Sequence, residues 1–362
     1  MRKIAHYLYL LLFLLMSQLA IAQQLAHYGL ATQNWQLFNP AATNYLSVMG
    51  EDQTHFVDAS FRHQWIGWGN PDRLGKGDAP VSYNIRYEKI PKHRAYQYEI
   101  DLPIKYGFHL AKDQTDAIGT TSLYTNFAYQ IMFDYDSYLS IGLNGGGYQY
   151  RIDTDRINFR DRSDAEQHID RNIYHIDFSL GAFYVYRKKF YLGISVPQTF
   201  QVNLRNHQQD TIAFLNDRLI DFSNIRTQHY HFVMGGFIPF TYEVGKRSFL
   251  EPSILIRYLH ESKETQRNLW LRGIRNDGLL ENLPISADAH IKAQLNTMWF
   301  GFGFGTSKMI HFELGAILKD RQYGAQGGNL LRLGIIYSYP LGIDQVQLGH
   351  TAEILVGFGF GE

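Results

Sequence analysis

His168, Asp170 and His175 are the side chains best placed in the sequence to hold a metal ion. A protein zinc site needs three or four converging donors. These residues flank a predicted loop-to-strand junction, and no further donor completes such a set. Gly145-Gly146-Gly147 could cradle a phosphate, but the run sits inside a strand pattern. There a bulge or a tight lumen contact is the simpler reading. Neither HExxH nor a glycine-rich loop ending in Gly-Lys-Ser/Thr occurs. Ser, His and acid residues are plentiful, but no elbow motif selects a triad among them. The reading is therefore of a protein that is not an enzyme, with no catalytic residue, no cofactor and no metal.

The chain has 362 residues and no cysteine, which excludes a disulfide framework, a thiolate nucleophile and a lipid-acceptor cysteine. Lys plus Arg and Asp plus Glu balance at 34 each, so no charge excess points to nucleic acid. The chain is rich in Tyr (25), Phe (24) and Gly (32), yet after the start it has no long apolar helical run. Such a chain is either a soluble β protein or one that crosses a membrane as strands.

Met1-Arg2-Lys3, an apolar run from Leu8 to Met16, and Ala20-Ile21-Ala22 form the pattern of a secretory signal peptide over 1–22. Cleavage is expected between Ala22 and Gln23. Residues 23–54 would then be a periplasmic N-terminal segment, a plug or a partner-binding arm, ahead of a barrel over 55–362.

Side-chain alternation decides between the two β readings. Tyr98, Ile100, Leu102, Ile104, Tyr106, Phe108 and Leu110 alternate with Glu99, Asp101, Pro103, Lys105, Gly107 and His109. Successive strand residues face opposite sides, and about 9–11 of them cross a bilayer. The same alternation recurs at 285–295 and 310–318, and 298–305 sets Phe300, Phe302 and Phe304 against Gly301, Gly303 and Gly305. About fourteen such segments predict an all-β, transmembrane antiparallel barrel. They lie near 55–66, 80–90, 98–110, 118–133, 137–152, 173–187, 189–197, 227–241, 248–260, 284–296, 297–306, 309–320, 328–339 and 349–360.

The connections 67–79, 153–172, 198–226 and 261–283 are long and all fall on one side; most of those on the other side are short. Outer-membrane barrels sort long external loops and short periplasmic turns in this way. Both termini are accordingly expected in the periplasm. Two short turns, at 112–117 and at Ser307-Lys308, also lie on the external side. Tyr148, Tyr150, Tyr184, Tyr186, Tyr337 and Tyr339 sit near strand ends, where an amphipathic ring suits the lipid interface. Glu99, Asp101, Lys105, His109, Asp288, His290, Lys292, His311 and Glu313 fall on the opposite phase. They either line a pore or fill a closed lumen as paired charges.

Several motifs resemble, in order, those of the PorP/SprF family of the type IX secretion and gliding machinery of Bacteroidetes. Phe38-Asn39-Pro40-Ala41 looks like its early NPA element. The stretch from Phe61 through Arg62, Gln64 and Trp65 to Gly67 and Trp68 is similar to its RQQWVGF strand. Phe190-Tyr191-Leu192-Gly193-Ile194-Ser195-Val196-Pro197 is close to FYLGLSVP. Tyr337-Ser338-Tyr339-Pro340-Leu341, with His350 to Leu355 around Glu353, resembles YDYPL…SHEIML. The insertions at 153–172, 198–226 and 261–283 and the residues after Phe360 depart from the family pattern. The resemblance implies a non-enzymatic outer-membrane component, either a barrel subunit or a surface anchor for a secreted cargo or adhesin. Its partners would be other secretion components on the periplasmic lipoprotein and motor side, the cargo, and membrane lipids. The alternatives are a passive porin or transporter for small solutes, a barrel-embedded hydrolase and a soluble β-sandwich.

Overall fold

The computed structural model describes residues 34–49, 53–66, 79–91, 103–134, 136–153, 171–203, 211–214, 218–221, 228–240, 248–260, 285–306, 309–320, 328–341 and 349–361. The signal-peptide stretch and the motif position Gly67 lie outside the described residues. Fourteen strands form the wall. They are β1 (His55–Ile66), β2 (Val81–Lys89), β3 (Ile104–Thr115), β4 (Ile118–Asp134), β5 (Ser137–Ile152), β6 (Arg171–Tyr186) and β7 (Phe190–Asn203), followed by β8 (Gln228–Gly236), β9 (Ser248–His260), β10 (Ile285–Leu295), β11 (Met298–Gly305), β12 (Met309–Lys319), β13 (Leu330–Pro340) and β14 (His350–Phe360).

Each strand pairs antiparallel with its neighbours in sequence, and β1 pairs with β14 from His55↔Phe360 onward. The sheet thus closes, and no wall strand keeps an open edge, the condition for strands to cross a lipid layer. A two-stranded hairpin, Thr211–Phe214 with Arg218–Asp221, stands apart from the wall.

Alternation is what makes this sheet two-faced. Along β3, Ile104, Tyr106, Phe108 and Leu110 are exposed while Lys105, Gly107 and His109 are buried. The outward set elsewhere is equally apolar: Phe127, Leu314 and Ile335 are each more than half exposed, at 55, 55 and 56 %. Burying apolar area is worth about 25 cal/mol per Å², and a soluble monomer rarely leaves a patch beyond a few hundred Å² bare. An apolar belt that runs round the whole wall has lipid as its solvent.

The inward face carries the polar residues, and glycine makes room for the large ones. A Cβ on Gly315 would lie 2.0 Å from the Trp299 ring, and one on Gly303 would lie 2.4 Å from His290. The aromatic-against-glycine pattern of β11 therefore reflects a crowded lumen. Gly145-Gly146-Gly147 continues the β4–β5 ladder without a bulge. At Gly146 a Cβ would sit 2.1 Å from the Leu123 carbonyl, so tight packing accounts for the run.

Three expectations change. The strand expected over 98–110 begins at Ile104, after the proline at 103, and runs on to Thr115. The external turn therefore narrows from 112–117 to Asp116-Ala117. β7 extends past Pro197 to Asn203; residues 197–199 form an irregularity opposite Ser179, where a proline costs no ladder bond. Tyr148 points inward, 6 % exposed and stacked 4.8 Å from His175, so it belongs to the lumen rather than to the lipid interface.

β1 begins and β14 finishes at the same end, called here the terminal end. Tight turns close the wall there, with positive φ at Arg187 and Lys188 (49° each) between β6 and β7, and at Asn296 (55°) between β10 and β11. The three longest connections, 153–170, 204–227 and 261–284, all leave from the opposite end, as does 67–80; with β3 starting at Ile104, the terminal end carries one connection as long as 67–80, at 90–103.

Candidate functional site: a chain segment clasped inside the barrel

Asn34–Met49, which precede β1, lie inside the barrel at its terminal end. The segment has two single-turn helices, α1 (Trp35–Phe38) and α2 (Tyr45–Val48). Isolated helices this short do not hold themselves together in water; tertiary contacts must. Asn44 caps α2 by accepting from the Leu46 amide, and Trp35 packs 4.4 Å from the Tyr191 ring and 5.3 Å from Phe183. Trp35, Ala41, Ala42, Tyr45, Leu46 and Val48 are all at most 2 % exposed. With Phe183, Tyr191, Trp299 and Leu330 of the wall they form one apolar core.

The attachment is most specific at Asn39. Its Nδ2 donates to the carbonyls of Ala182 (2.9 Å) and Ile194 (3.1 Å) on paired strands β6 and β7. Its Oδ1 accepts from the Ala41 amide at 2.9 Å. That approach is open only because Gly142, Gly181 and Gly193 line it: a Cβ at Gly181 would lie 2.1 Å from Asn39 Oδ1, and one at Gly142 2.5 Å from the Ala41 amide nitrogen. Ser195 Oγ donates to the Phe38 carbonyl at 2.6 Å. Lys105 Nζ donates to the carbonyls of Pro40 (2.9 Å) and Ala42.

Charge completes the clasp. Lys105 also meets Glu88 at 3.0 Å, and Glu88 in turn accepts from Gln36 at 3.0 Å. Asp58 bridges Arg86 and Arg332, each at 2.7 Å, and accepts from Asn44 at 2.9 Å. Glu251 accepts from Tyr45 (2.6 Å) and Tyr191 (2.8 Å) and pairs with Lys292 (2.6 Å), whose Nζ sits 3.6 Å over the Tyr45 ring. Burial, with Glu251 beside it, pushes the Tyr45 phenol well above its ordinary value and keeps it a donor. The paired charges foreseen for a closed lumen are present at Lys105, Lys292 and Asp288, the last with Arg257.

The chain matches the family described as type IX secretion system membrane protein PorP/SprF over residues 20–358. It belongs to the PorP/SprF family. Among curated proteins none matches. Solved structures to which this PorP/SprF chain is similar include a Pseudomonas aeruginosa FadL homologue, with 8 % identity, 91 % of this chain and 93 % of that one covered, and a TM-score of 0.44. The CymD monoaromatic hydrocarbon channel is 9 % identical over 96 % of each chain, with a TM-score of 0.43. BamA from Haemophilus ducreyi lacking POTRA domains 1–3 is 10 % identical over 85 % of this chain and 70 % of that one, with a TM-score of 0.37.

The PorP/SprF motif residues are spread over several places in the barrel. Asn39, Pro40, Tyr191 and Gly193 come together in the clasp just described. Arg62 and Glu353 are buried and directly opposite each other on β1 and β14, the pair that closes the barrel. The Gln64 backbone N–H donates to the Pro80 carbonyl at 2.9 Å near the end of β1, one residue before Trp65. Tyr339 and Pro340 end β13, with Tyr339 exposed and 5.1 Å from the His350 ring; Pro197 marks the β7 irregularity. Ala22 and Gln23, like His168, Asp170, Glu99 and Asp101, lie outside the described residues. Gln36, Asn44, Tyr45, Glu88, Glu251, Gly142 and Gly181 were not singled out in the sequence. For Glu251 and Gly142 the inward strand phase was the available signal.

Proposed function

We propose that this PorP/SprF-family protein is a non-enzymatic outer-membrane component of type IX secretion that works as a closed scaffold rather than a pore. In this reading residues 23–54 form a unit distinct from the barrel wall, and Asn34–Met49 act as its plug. Both termini face the periplasm, where lipoprotein or motor-side components of the system would engage the barrel. The long connections at the opposite end reach the cell exterior and hold a secreted cargo or adhesin, as loops on a rigid frame commonly carry recognition.

The observation that carries the reading is the Asn39 clasp: a solute pore has no use for a buried segment bonded to at least six strands of its own wall. Deleting the gene should leave the cargo unattached or unsecreted, and restoring the full chain should return it. Normal secretion and normal surface attachment in the deletion strain would overturn the proposal.

A further inference from the structure

At the terminal end of the outer wall, Lys89 stands in a setting the scaffold reading does not use. Across β14, β1, β2 and β3 the cross-strand register aligns Phe360, His55, Lys89 and Tyr106 in a single outward row. The next row toward the middle of the wall is Phe358, Val57, Tyr87 and Phe108, and beyond it come Val356, Ala59, Ile85 and Leu110. A polar row thus sits directly on the edge of the lipid-facing belt.

Within that row the groups are arranged, not scattered. His55 stacks on Phe360 at 5.2 Å and an interplanar angle of 13°, and its Nδ1 is 2.9 Å from the Tyr87 hydroxyl. Lys89 Nζ lies 5.6 Å from the Tyr106 ring centroid, and no carboxylate is paired with it among the described residues. The remaining outward side chains of these rows are uncharged. A lysine with neighbouring imidazole and phenol donors, fixed where acyl chains end, matches the phosphate of a lipid headgroup. A free phosphate would leave the adjoining apolar rows without a role.

We infer that Lys89, with His55, Tyr87 and Tyr106, forms a binding site for the headgroup phosphate of an anionic phospholipid whose acyl chains lie along Val57, Ile85 and Phe108. The site rests on the orientation given under the proposed function, in which the terminal end lies in the phospholipid leaflet.

Native mass spectrometry of the full chain in mild detergent tests it, with phosphatidylglycerol, phosphatidylcholine and lipid A added separately as probes. A lysine near an anionic lipid surface contributes a preference of about fivefold. The native protein should therefore retain phosphatidylglycerol over phosphatidylcholine by about that factor. K89Q should abolish the preference, K89R should keep it, and K112Q, at the other end of the same outer face, should leave it unchanged. Heat-modifiable gel migration shows that each variant is folded. Equal retention of the two phospholipids by the native protein, or an undiminished preference in folded K89Q, overturns the site. Displacement of bound lipid by glycerol 1-phosphate overturns the lipid assignment. Preference for lipid A, lost in K89Q, overturns the leaflet assignment and with it the orientation, whereas failure of the phospholipid preference alone leaves the scaffold role standing.

Discussion

Asn39→Ala removes the clasp with the least disturbance to the wall. The side chain makes three hydrogen bonds, two donated at 2.9 and 3.1 Å and one accepted at 2.9 Å. At about 1 kcal/mol each, the loss is about 3 kcal/mol of docking free energy. That is roughly a hundredfold rise in the undocked population of Asn34–Met49. None of the strand pairings involves Asn39, so the barrel itself stays closed. Hydrogen exchange read by mass spectrometry in detergent measures this. The Val48 and Met49 amides, bonded to the Asn44 and Tyr45 carbonyls at 3.1 Å, report on the segment. Their exchange should quicken by roughly two orders of magnitude while β4–β6 stay as protected as in the native protein. Protection within about threefold of native in folded N39A would refute the assignment of docking to this residue.

Gly181→Ala places a methyl group 2.1 Å from Asn39 Oδ1; it should release the same segment, and combined with N39A it should release it little further than N39A alone, because both changes break the same clasp, read by the same exchange. Glu251→Gln leaves Lys292 as an unpaired buried charge, a change that costs about 3–5 kcal/mol. The folded gel band should disappear at a lower sample temperature, and E251Q with K292M, which removes the unpaired charge and keeps an amide oxygen for the Tyr45 and Tyr191 hydroxyls, should recover most of the loss. The Tyr45 phenol is held protonated in the docked state, so its contribution is complete below its unfolded value near pH 10 and falls as pH rises above that. Proteolysis within 34–49 should therefore become easier above about pH 10, and less so in Y45F.

The wall was legible because a strand facing lipid on one side and a packed lumen on the other must alternate at every second residue. Val81–Lys89, Ser137–Ile152 and Ser248–His260 were placed nearly to the residue for this reason. Ile104 was misjudged as mid-strand because the alternation of Tyr98 to Leu102 continues the phase of β3 across Pro103. Tyr148 was misjudged because a ring near a strand end suits either face, and only the partner, His175, decides it. The inner segment was opaque for a different reason. Two four-residue helices have no measurable periodicity, and their order comes from residues far away in the chain, such as Glu251 for Tyr45 and Ala182 for Asn39. The NPA resemblance pointed at Asn39 and Pro40, but the glycines that admit them, at 142 and 181, carry no local mark.

Ion conductance across a planar bilayer tests most directly whether the membrane barrel is closed by its own chain. The native protein should insert without a stable open channel, and a variant lacking residues 34–49 but still heat-modifiable should conduct. A steady ohmic channel from the native protein would contradict the closed scaffold and favour a porin.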